Sequence, residues 1–91
     1  MTNLFSARVR IVEDVVFRPV GDESVLLNLN TGEYLGLNAS GTRMWSILTT
    51  ASSVQTAYDA LLQEYDVEPP QLRADLAEFI GQLRDKHLID T

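Results

Sequence analysis

Cysteine is absent, which excludes a disulfide framework, a thiolate zinc site and a cysteine nucleophile, and agrees with a reducing compartment. No apolar run approaches the roughly 20 residues that a membrane-spanning helix needs. The opening residues Met1-Thr2-Asn3-Leu4-Phe5-Ser6-Ala7-Arg8 lack the basic start and apolar stretch of a secretory signal, so the expected location is the cytoplasm. Basic residues are scarce: 7 Lys and Arg stand against 13 Asp and Glu, a formal net charge of −6. Such a chain repels polyanions at long range, which counts against a nucleic-acid partner. Glycine is thin as well. Its positions at 21, 32, 36, 41 and 81 form neither a phosphate-binding loop, a dinucleotide fingerprint nor a nucleophile elbow.

The side chains that could carry chemistry are scattered. Histidine occurs once, at His87, close to the end of the last helical stretch, where a positive charge suits the helix dipole. With no partner at a useful spacing it reads as a surface or capping residue, not as a ligand or a base. Acidic pairs at Glu13-Asp14, Asp22-Glu23, Glu64 with Asp66 and Asp75 with Glu78 fall in turns or on polar helix faces, where solvated charge is the default. None implies the shared, partly buried cleft that paired-carboxylate catalysis requires. The hydroxyls Ser40, Thr42, Ser46, Thr49, Thr50, Ser52 and Ser53 gather at helix boundaries, where capping accounts for them. The expectation is a non-enzyme with no cofactor and no metal.

What the chain does contain is a strand half followed by a helix half. Ninety-one residues make one domain, expected over 9–91 after a flexible start at 1–8. The runs Val9-Arg10-Ile11-Val12, Val15-Val16-Phe17-Arg18, Val25-Leu26-Leu27-Asn28-Leu29 and Tyr34-Leu35-Gly36-Leu37 are β-branched or aromatic and short, which marks strands. Asn30-Thr31-Gly32 predicts a three-residue hairpin loop with a left-handed glycine. Strict alternation would then put Val25, Leu27 and Leu29 on one face with Leu35 and Leu37, and Leu26, Tyr34 and Gly36 on the other. After Leu37 the period becomes helical. Asn38 or Ser40 caps a helix bearing Met44, Trp45, Ile47 and Leu48. Ser52-Ser53 opens a second with a stripe of Val54, Ala57, Tyr58, Leu61, Leu62 and Tyr65. Pro69-Pro70 starts a third, with Leu72, Leu76, Phe79, Ile80 and Leu83 on its apolar side, closing toward His87-Leu88-Ile89. The predicted class is α+β, winged helix-turn-helix-like: an N-terminal three-stranded antiparallel sheet followed by three α-helices. A sheet so small has free edges, and an unpaired edge offers N–H and C=O groups to any extended chain.

The run from Val15 to Glu23, then Val25 to Asn38 and then Gly41-Thr42-Arg43-Met44-Trp45, together with the Tyr65-Asp66-Val67 break and a last helix containing Leu83, resembles the PqqD-like family. The resemblance covers roughly residues 8 to 90, and its most telling pieces are Leu37-Asn38 and Trp45. Members of that family, also called peptide recognition elements, bind the leader segment of a ribosomally made precursor peptide and catalyse nothing. The resemblance implies that a leader lies as an extra antiparallel strand along Glu33, Tyr34, Leu35, Gly36 and Leu37, in a cleft whose other wall is the third helix with Leu72, Arg73, Leu76, Phe79 and Ile80. Arg73 and Arg84, nearly on one helix face, would meet acidic leader residues, although much of the apolar stripe also suits a core. As a domain without a fused enzyme, the chain is similar to the leader-binding proteins of lasso peptide systems. The implied partners are a precursor peptide, a separate leader protease and a cyclase, with the protein itself a monomer or weak dimer.

Three other readings remain open at this level. A PqqD-like chaperone could deliver its precursor to a radical enzyme or another modifier. A winged-helix outline permits DNA binding, but Asp75, Glu78 and Asp85 interrupt Arg73, Arg84 and Lys86, so the third helix lacks a basic stripe. A scaffolding subunit would keep its edge strand covered by protein in every state.

Overall fold

Two glycines in the left-handed region set the turns of the sheet. The computed structural model describes residues 3–90, in the order of a single 3-10 turn (Leu4–Ser6), β1 (Arg10–Ile11), β2 (Val15–Val20), β3 (Glu23–Asn28), β4 (Tyr34–Leu37), α1 (Ala39–Thr50), α2 (Val54–Glu64), α3 (Pro69–Asp85) and β5 (Ile89–Asp90). Gly21, at φ 66°, turns β2 into β3, and Gly32, at φ 76°, lies in the loop leading to β4. A side chain at either position would bring its Cβ against the backbone. The three strands form an antiparallel sheet in the order β2-β3-β4. Pro19, which has no N–H to give a ladder, sits in edge strand β2, where that loss is tolerated.

In β3 the face that meets the core is the opposite of the one expected from alternation, while Leu35 and Leu37 of β4 turn to the core as expected. Leu26 pairs with Leu35 and Ser24 with Leu37, and Leu26 is fully buried, whereas Val25 and Leu29 are 37 % and 60 % exposed. The cause is one residue in the loop. Asn28 N–H donates to the Glu33 carbonyl at 2.9 Å and Gly32 N–H to the Asn28 carbonyl at 2.8 Å, so Leu29 to Gly32 make a four-residue loop, not a three-residue one. Because side chains alternate with period two, that single residue moves every side chain of β3 to the other face. Asn28 locks the result. Its Oδ1 accepts from Asn30 N–H at 2.9 Å and Thr31 N–H at 3.2 Å, and its Nδ2 donates to the His87 carbonyl at 2.7 Å.

The three helices begin where the sequence puts them, each for a local reason. Asn38 caps α1 by accepting from Gly41 N–H at 2.8 Å, and Ser53 caps α2 by accepting from Thr56 N–H at 3.1 Å. Pro69 opens α3, whose first N–H groups have no helical partner in any case. Their apolar stripes converge: Leu48 of α1, Val54, Ala57 and Leu61 of α2 and Leu76, Ile80 and Leu83 of α3 are buried with Leu26 from the sheet. Buried Ser24 is satisfied across the layers by Thr42, the two hydroxyl oxygens lying 2.7 Å apart.

Both ends of the described chain are tied in. α3 stops at Asp85, His87 takes a positive φ of 56°, and the chain then runs back as β5, which pairs antiparallel with β1 through Arg10 with Asp90 and Ile11 with Ile89. Leu88 and Ile89, expected as the close of the helix, are therefore buried after a break. The first run of strand residues likewise pairs with the C-terminus and not with the main sheet. The expectation of a flexible 1–8 falls partly on residues 1 and 2, outside the described residues; beyond them, Phe5 is buried and the Ala7 carbonyl accepts from Val54 N–H at 2.9 Å. Thr91, the last residue of the expected domain, is likewise outside them. Among the described residues, no helix is long and apolar enough to cross a membrane.

Candidate functional site

The free edge of β4 has a definite pattern of main-chain groups. Opposed residues in an antiparallel ladder alternate between hydrogen-bonded and non-bonded pairs, and the bond from Asn28 to Glu33 sets the phase. Leu35 and Leu37 therefore direct their N–H and C=O toward β3. Tyr34 and Gly36 direct theirs outward, along the edge that no strand covers. Gly36 is exposed, and a Cβ built on it would meet nothing within 4 Å, so the outer face of the sheet is open where Gly36 pairs with Val25.

A second wall is supplied by one flank of α3. Leu72, Leu76, Phe79, Ile80 and Leu83 face the core. At about 100° per residue, Asp75, Glu78 and Gln82 fall on one side of that stripe, and Arg73 and Arg84 fall on the other, about 160° away. Asp75, Glu78, Phe79 and Gln82 look across a depression of about 270 Å3 at Asn38, Ser40, Gly41 and Met44, where β4 gives way to α1. The opposite flank is occupied differently. The Arg73 guanidinium lies over the Phe5 ring, 3.8 Å from its centroid, and Phe5 meets Tyr58 edge-on at 5.7 Å.

At the other end of β4 the two walls are fastened together. His87 Nδ1 and Glu33 Oε1 are 2.6 Å apart, and the His87 carbonyl holds Asn28, so the end of α3 is tied to the hairpin at two atoms. The hydrogen bond from the His87 ring, helped by the Thr31 hydroxyl and by the charge of nearby Lys86, lowers the Glu33 carboxyl below its ordinary range.

The structure thus brings some of the expected residues together and separates others. Glu33, Tyr34, Leu35, Gly36 and Leu37 form the edge and its ends, with Leu37 turned into the core. Leu72, Leu76 and Ile80 are buried in the core, and Phe79 is buried yet borders the depression. Arg73 and Arg84 share a face, as their eleven-residue spacing requires, and it is the flank away from the depression; the flank toward Asn38 is acidic and polar. Asp75, Glu78, Gln82 and Met44 were missed because periodicity identifies a buried stripe without saying which of its flanks turns toward the sheet. Among the described residues no group of three or more His, Cys, Asp or Glu could hold a metal ion.

Known proteins share this chain's sequence pattern and fold. The family model described as coenzyme PQQ synthesis protein D (PqqD) matches residues 23–89. The chain belongs to the PqqD family. The match runs from β3 through β4 and all three helices into β5, so both walls lie inside the PqqD region. Two solved structures share its shape. One, "TbiB1 in Complex with the TbiA(beta) Leader Peptide", is 40 % identical over 89 % of this chain and 94 % of that one, with a TM-score of 0.81. The other, "Lasso peptide synthetase B1 complexed with the leader peptide", is 24 % identical over 93 % of this chain and 100 % of that one, with a TM-score of 0.82, and speaks for the fold alone. No match to a curated protein was found.

Proposed function

We propose that this PqqD-family protein binds the leader segment of a ribosomally made precursor peptide, which joins the free edge of β4 as an antiparallel strand beside the Asp75, Glu78 and Gln82 flank of α3. The observation that carries the reading is the outward pattern of main-chain groups at Tyr34 and Gly36, on an edge that no strand covers. Strand addition takes its affinity from such main-chain groups and its specificity from side chains at alternate positions. The 40 % identical TbiB1, solved with a leader peptide, supports the same choice of ligand. Bound in this way, the leader would be delivered to a separate protease that removes it, the role expected in lasso peptide maturation.

Calorimetric titration with the synthetic leader of the precursor encoded beside this gene tests the binding. Saturable binding at micromolar or tighter affinity is expected. N-methylation of successive leader amides should weaken it with a period of two, because only alternate amides face β4. Arg73→Glu should leave the affinity within about twofold, since a rim charge on the far flank contributes little. Absence of binding, or losses without alternation, would overturn strand addition. Delivery is tested separately, by whether the protein accelerates leader removal by the partner protease.

A further inference from the structure

We infer that the Asn38 end of the groove is a cation subsite, which takes a Lys or Arg side chain from the N-terminal part of the docked leader, with the Asp75 and Glu78 carboxylates as acceptors. The inference rests on the strand-addition reading. A strand antiparallel to β4 enters beside Leu37 and leaves beside Tyr34, so its N-terminal part lies against the depression between Asn38, Ser40 and Gly41 on one side and Asp75, Glu78 and Gln82 on the other. Met44 and Phe79 give that depression apolar surface. An aliphatic stem can lie along such surface while its charged head stays at the polar rim, which is how long basic side chains bind and short or acidic ones do not.

The local charges fit one sign only. Gln71 Nε2 donates to Asp75 Oδ1 at 2.7 Å, which steadies the carboxylate without neutralising it. Glu78 has no ion-pair partner among the described residues. Arg73 and Arg84 lie on the opposite flank of α3. At the far end of β4 the charges are mixed: the Glu33 carboxylate is engaged by His87 and stands near Lys86, so that end offers a cation no unpaired carboxylate of its own. A leader with its cation leading meets the Asp75 and Glu78 carboxylates at the Asn38 end, and one laid down in reverse carries that cation to an end where the carboxylate of Glu33 is already paired. Charge thereby supports the same direction of binding as the main chain.

The test titrates the full-length protein, its Glu78→Gln variant and its Asp75→Asn/Glu78→Gln variant with the synthetic leader, and with leaders in which each Lys or Arg is replaced in turn by Gln. Both carboxylates are on the exposed face of α3, so the variants should melt like the parent. The double variant should bind about three- to fivefold more weakly, as exposed ion pairs of this kind allow. One basic residue in the N-terminal half of the leader should show the same loss against the parent and almost none against the double variant. Glu78→Lys should recover affinity for the leader in which that residue is changed to Glu. Unchanged affinity of the double variant, simply additive losses, or a leader that binds with no basic residue in its N-terminal half would overturn the subsite while leaving strand addition standing. Failure of the parent to bind any leader would overturn both.

Discussion

Asn28 ties the hairpin to the segment that follows α3. It is 2 % exposed, yet both ends of its amide are used: the oxygen gathers two N–H groups of the hairpin loop and the nitrogen reaches the His87 carbonyl. Buried amides are retained only where their partners are complete, and here the partners also set the register of β3 against β4. Asn28→Ala should therefore destabilise the protein by about 2–3 kcal/mol in urea denaturation, from the stranded partners more than from the lost bonds themselves. The sequence Leu27-Asn28-Leu29-Asn30 announces a turn plainly enough. Which asparagine closes it is not legible there, because either choice leaves an apolar alternation behind it, Val25-Leu27-Leu29 in one case and Leu26 opposite Leu35 in the other.

For the elements, the consequence is a hairpin whose inner and outer faces are testable by truncation. Leu26→Ala should cost about 2–5 kcal/mol, the range for a core leucine, while Leu29→Ala should change stability by less than about 0.5 kcal/mol. A three-residue loop would reverse the two values. The helices were legible in detail, since Asn38, Ser53 and Pro69 signal their own starts and the stripes of Val54-Ala57-Leu61 and Leu76-Ile80-Leu83 repeat within one element. The two-residue strands β1 and β5 were not. Their pairing depends on partners at opposite ends of the chain, and no local period marks a strand of two residues. The site divides along the same line. The edge of β4 could be read from its own residues, but the choice between the Arg73 and Glu78 flanks of α3 depends on where the helix lands, which only the tertiary structure decides.

Taken whole, the molecule is a slab of 36 × 35 × 19 Å, thin enough that the sheet contributes one layer and the helices the other. The sheet's outer side carries Val25, Leu29 and Tyr34 in the open, while the N-terminal turn lies on α2 and is pinned there by Phe5 between Tyr58 and Arg73. The seam between β1 and β5 is what joins the first described strand to the last. Such a seam has a kinetic meaning. Bringing Arg10 to Asp90 closes a loop of almost the entire chain, and contacts of that separation are entropically the slowest to be rewarded, so the hairpin and the helix pairs should assemble first. Ile89→Ala should accordingly leave the refolding rate in stopped-flow experiments nearly unchanged and accelerate unfolding, with a φ-value of about 0–0.3. The lifetime of the native state would then be governed by two strands of two residues each, which follow directly on the His87 tie that fastens the end of α3 to the hairpin.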